Sequence, residues 1–183
     1  KGKDWKNISV PEPPRNSSPE TRLELSMIKA LGDNRSQKDI KSIKEHDKSV
    51  IYAVKNYLEE NDLDYNSEDI SKIVETGAGV SRFYKNKFQR IRPWQLAGEL
   101  GIDINHMKFP SDTMQTPSYP SGHSVQSRLV AEYYIRKYPQ HKKGLIAAAE
   151  ECGQGRVKAG WHFPSDHEVG VMIAIEIAPM VEL

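Results

Sequence analysis

The chain is nearly without cysteine. Cys152 stands alone among 183 residues, so no disulfide can close within the chain, and cysteine usage gives no sign of an oxidising compartment. Long hydrophobic runs are also missing: none approaches the roughly 18 residues that read as a membrane span. The most apolar stretch, VGVMIAIEIAPMV at 169–181, is short and carries Glu176, which suits a buried helix. Charge of one sign is not in excess. Lysine and arginine number 26 against 25 acids, and a net charge of +1 argues neither for nor against a polyanionic partner. Apolar residues reach only 37%, which predicts a modest core under a wet surface. No alternating strand pattern, repeat or low-complexity block is visible. The chain opens on Lys1 rather than methionine, which reads as a processed or trimmed chain, periplasmic or secreted if a leader has been removed and cytoplasmic otherwise.

What is present is helical periodicity. Residues 1–19 read as an irregular arm, because SVPEPPRNSSPE has four prolines and little to bury. Residues 20–183 read as a single all-α domain, a bundle of about six helices. The first covers about 20–31. A second, opened by Ser36 with Asp39 three residues on, keeps its period to about Glu60. A third starts near Ser67, with Gly77 and Gly79 as a candidate break, and stops at Pro93. After a long loop at 101–120, three more cover about 121–137, 139–158 and 164–177.

Three segments carry chemistry. RFYKNKFQRIRPW at 82–94 holds Arg82, Lys85, Lys87, Arg90 and Arg92 with no acid. Lys85 and Arg92 are seven apart, so on one helix they share a face and could grip a phosphate. A solvated basic face is the plainer reading, and the interleaved Phe83, Tyr84 and Phe88 also fit single-stranded nucleic acid. In PSYPSGHS, at 117–124, Ser121 is a good N-cap, and the amides behind it face outward with no partner. Gly122 lets an anion approach, Ser121 offers a hydroxyl, and His123 is placed to pass a proton. In GQGRVKAGWHFPSDHEVG, at 153–170, Arg156 precedes His162 by six residues and Asp166 follows by four. An aspartate at that offset can hold one imidazole nitrogen and aim the other.

Together the segments resemble the type 2 phosphatidic acid phosphatase superfamily, whose soluble members are the class A non-specific acid phosphatases and whose site the vanadium haloperoxidases share. The family pattern is Lys-x6-Arg-Pro, Pro-Ser-Gly-His, and Ser-Arg-x5-His-x3-Asp. Here it reads Lys85 to Arg92-Pro93, Pro120-Ser121-Gly122-His123, and Arg156 to His162 to Asp166. Gly155 departs from it, standing where the family has serine. Residues 1–75 carry no motif.

The resemblance implies hydrolysis of a small-molecule phosphate ester without metal or other cofactor. His162 would be the nucleophile, Asp166 its orienter and His123 the general acid. Lys85, Arg92, Arg156, Ser121 and Gly122 would hold the phosphoryl oxygens. Of the other histidines, His167 reads as a helix neighbour and His106 as a candidate for the site's entrance. Trp94 and Trp161 could stack on a leaving group or simply pack. The rivals are a vanadium haloperoxidase, against which the short chain counts, and a non-catalytic module binding nucleic acid through 82–92. The arm could fasten a homo-oligomer.

Overall fold

Eight α-helices make up the computed structural model, which describes residues 4–183: α1 Pro19–Asp33, α2 Gln37–Lys48, α3 Tyr52–Glu60, α4 Ser67–Phe88, α5 Pro93–Leu100, α6 Gly122–Lys137, α7 Lys142–Lys158 and α8 Pro164–Ile177. No strand occurs among the described residues, so the all-α expectation holds. No helix among them is long and apolar enough to cross a membrane.

The axis of the bundle is α6, which packs against α4, α7 and α8. Its buried residues include Val125, Ser127, Leu129, Val130, Ala131 and Tyr134, which lie on all its sides. A helix enclosed this way needs no polar face. The main core gathers Leu58, Ile73, Val80, Leu129, Leu145 and Ile173 around it. A second cluster joins Leu25 and Ile28 of α1 to Leu96 of α5 and to Phe163.

Three helix boundaries differ from the periodicity, each for a local reason. The expected helix from 36 to 60 is two. The capping box is as expected, with Ser36 Oγ accepting from the Asp39 amide at 3.0 Å and Asp39 returning the bond. The chain then turns extended at Ser49, and α3 restarts after it. The break is held by His46, whose Nε2 accepts from the Ala53 amide in the first turn of α3 (3.2 Å), while Nδ1 donates to the Ser42 carbonyl (2.9 Å). The candidate break at Gly77 does not occur. A Cβ there would come within 3.1 Å of Gln126, so this glycine sets the close crossing of α4 on α6. Finally, α4 ends at Gln89 in the left-handed conformation (φ 51°), and Pro93 begins α5 instead of stopping its predecessor. Lys85 and Arg92 therefore lie on different elements and do not share a helix face.

The described part of the arm, residues 4–18, is laid along the bundle. Tyr84 donates to the Trp5 carbonyl (2.7 Å) and Tyr119 to that of Pro11 (2.6 Å), while the Trp5 ring meets Phe83 edge-on. The start of the predicted arm, residues 1–3, lies outside the described residues.

Candidate active site

Four parts of the bundle deliver residues of the sequence motifs to one cavity of about 380 Å³. The α4 C-terminal half brings Lys85, and the turn before α5 brings Arg92. The first turn of α6 brings Gly122 and His123, and the end of α7 with the following turn brings Arg156 and His162. That last turn depends on Gly160, whose φ of 81° and close approach to His106 leave no room for a side chain.

His162 is fixed at both ring nitrogens. Nδ1 donates to Asp166 Oδ2 at 3.2 Å, and Arg92 Nη1 lies 2.9 Å from Nε2. Nε2 therefore keeps a lone pair turned to the cationic side. Asp166 is completely buried yet fully served. Oδ1 accepts from Arg90 (2.8 Å), and Oδ2 accepts from the Phe163 amide (2.7 Å) and from Ser118 Oγ. Burial pushes this carboxyl up, and Arg90 opposes the push. With a donor on each side, the carboxylate is the form this geometry fits. Arg90 lies over the Phe163 ring and reaches on to Glu24 of α1, which also accepts from the Ser165 amide at the start of α8 (2.6 Å).

His123 approaches from α6. Its Nε2 donates to the His46 carbonyl at 3.0 Å, which leaves Nδ1 for a ligand. Both imidazoles are held well below their ordinary value, first by burial and then by cations: Arg156 beside His123, and Arg92, Lys85 and Arg156 beside His162. Burial, with Arg92 next to it, likewise brings the Lys85 ammonium down to about 7. Lys85 Nζ donates to the Pro117 carbonyl at 2.5 Å. Arg92 spends its fork on the Thr113, Thr116 and Trp161 carbonyls. Arg156 lies over the Trp161 ring and donates to Asp47 (3.2 Å) and Thr113 Oγ1 (2.6 Å). Three buried cations thus converge on a cavity whose lining includes one carboxylate, Asp47.

The remaining candidates separate. Ser121 is buried behind the cavity rim, and its hydroxyl accepts from the Ser124 amide (3.3 Å) and from Ser124 Oγ (3.0 Å). His167 is more than a helix neighbour: buried, it joins Ser124 Oγ (2.6 Å) to Glu150 (2.9 Å). His106 stacks on Trp94 and Trp161 is buried, and none of these three lines the cavity. Gly155 faces Ile43 of α2, so a serine there would meet apolar contact. Of the five cations in 82–92, only Arg82 and Lys87 are exposed; Lys85, Arg90 and Arg92 are buried, so the segment is no continuous basic face. Among the described residues, no three histidine, cysteine or acidic side chains cluster as metal ligands.

Motif spacing gave no hint of Asp47, Thr113 or Thr116, which line the cavity, nor of Ser118, Arg90 and Glu24, which brace Asp166. Only Arg90 carried a signal, as one cation in a basic run.

The PAP2 superfamily pattern matches residues 72–181, which hold every lining residue of the cavity except Asp47, Lys48 and Val50, at the end of α2 and in the break after it. A non-specific acid phosphatase of Providencia stuartii is 28% identical over 102 residues, covering 56% of this chain and 40% of that protein. Another, from Salmonella typhi, is 32% identical over 99 residues, covering 51% of this chain and 37% of that protein. The matched part is thus well under half the length of these relatives.

Proposed function

Since the chain belongs to the PAP2 superfamily, we propose that it hydrolyses small-molecule phosphomonoesters through a phosphohistidine formed on His162. The observation that carries the reading is the convergence of His123 and His162 on one cavity with Lys85, Arg92 and Arg156, each imidazole anchored at its far nitrogen. The name shared by the two relatives supports it.

The chemistry follows from those anchors. The His162 Nε2 lone pair attacks phosphorus. The bond from phosphorus to the ester oxygen breaks, and its electron pair leaves with the oxygen, which takes a proton from His123 Nδ1. The His46 carbonyl keeps Nε2–H on His123, so the neutral ring left behind is already the right tautomer. Water then attacks phosphorus, the N–P bond breaks, its electrons return to Nε2, and His123 recovers the proton. Asp166 stabilises the charge that builds on His162. Lys85, Arg92, Arg156 and the Gly122 amide meet the equatorial oxygens, and phosphoryl transfer needs this positioning and charge above all. Arg92 must transfer its Nη1 donor from His162 to the substrate, which frees the nucleophile only when phosphate is present.

Release of phenol from an aryl phosphate tests the reading. Wild-type protein should turn over with or without chelator, orthovanadate should inhibit, and His162→Ala should be inert. Turnover by His162→Ala at the wild-type rate would remove the phosphohistidine.

A further inference from the structure

Four buried side-chain atoms among the described residues have no hydrogen-bond partner: Ser81 Oγ, Arg90 Nε, Trp94 Nε1 and Arg156 Nε. Those of Ser81 and Arg156 belong to residues that line the cavity. Ser81 lies in α4 one turn before Lys85, on the same face, and is only 3% exposed. A helical serine commonly bonds back to the carbonyl four residues earlier, yet this one makes no such bond. Its hydroxyl lies over the first residue of α6: a Cβ built on Gly122 would meet Ser81 Oγ at 3.1 Å and Lys85 Cε at 3.9 Å. One spot therefore gathers an unspent hydroxyl, a cationic stem and the outward amides of a 16-residue helix. Leaving a buried hydroxyl without a partner costs free energy, so such an atom facing a cavity calls for a ligand.

We propose that Ser81 is a further phosphate ligand, its hydroxyl donating to a non-bridging oxygen of the bound phosphoryl group between Lys85 and the Gly122 amide. The inference rests on the oxyanion reading of the cavity and adds a residue outside the three motifs. A hydroxyl can be donor and acceptor, but an oxyanion needs only the donor, and nothing else among the described residues competes for that proton.

The test is Ser81→Ala, with inorganic phosphate and orthovanadate as probes. By calorimetry both should bind about tenfold more weakly than to wild type, as expected for one lost hydrogen bond to a charged group. The ligand-free variant should melt at or above the wild-type temperature, because the deleted hydroxyl had no partner to lose. Unchanged phosphate and vanadate affinity would overturn the proposal. So would a clear loss of ligand-free stability, which would show that the hydroxyl serves the fold. Wild-type protein that binds neither anion would overturn the oxyanion reading itself, and that failure shows in a different arm.

Discussion

At the scale of single residues, the site is set by what burial does to charge. Lys85 is brought to about 7 because it is desolvated beside Arg92. Its ammonium is therefore complete below that value and fades above it. Phosphate affinity of the wild type should fall as pH rises through about 7. Lys85→Arg, whose cation does not titrate in that range, should show a flatter profile by calorimetry. His123 is pushed the same way by burial and Arg156. In the proposed mechanism His123 gives the leaving oxygen its proton, which must be present at the transition state, so turnover should decline towards alkaline pH. Asp166 makes a stability prediction. Asn in its place offers one acceptor where the carboxylate serves Arg90, Ser118, the Phe163 amide and His162. Asp166→Asn should cost about 3–5 kcal/mol in denaturant unfolding, the range for a broken buried ion pair. A loss under 1 kcal/mol would mean that Arg90 finds full compensation in Glu24.

At the scale of elements, the break between α2 and α3 does the work that periodicity concealed. Ile40, Ile43, Val50, Val54 and Leu58 keep one helical period across it, so hydrophobic spacing reads a single helix. What interrupts it is the His46 ring, bonded to Ser42 on one side and Ala53 on the other. Its backbone carbonyl then holds His123, and Asp47 beside it meets Arg156. His46→Ala should therefore lower stability by about 1 kcal/mol, the usual cost of a lost cap. It should also slow turnover of a protein that remains folded, measured by melting and kinetics on the same sample. Lys85, Arg92, His123, Arg156, His162 and Asp166 stand out because their spacing along the chain is short and patterned. Glu24, Asp47, Thr113 and Ser81 reach the same centre through tertiary packing, and a linear pattern holds no record of that. The Lys85–Arg92 pair shows the converse: both residues line the cavity, but from different elements instead of one helix face, because Gln89 turns the chain between them.

At the scale of the whole molecule, stability and function oppose each other. Burying Lys85, Arg92, Arg156, His123 and His162 around one cavity crowds positive charge and imidazoles into low dielectric. Unfolded, the two histidines take up protons near 6.5; folded, they resist until a lower pH. The unfolded chain thus binds more protons in that window, and stability must fall as pH falls through it. Lys85 acts in the same sense between about 7 and its ordinary 10.5, where stability should rise with pH. Phosphate, by neutralising the cluster, should raise the melting temperature most at the acidic end; a shift of equal size at every pH would count against the linkage. The phosphohistidine is tested most directly by rapid quenching of the wild type during turnover, in alkali that preserves phosphoramidates, followed by peptide mass spectrometry. A phosphoryl group should appear on His162, be absent in His162→Ala and increase in amount when His123 is replaced, provided hydrolysis of the intermediate slows more than its formation. Turnover with no phosphorylated His162 at any quench time, or a phosphoryl group on another residue, would contradict it.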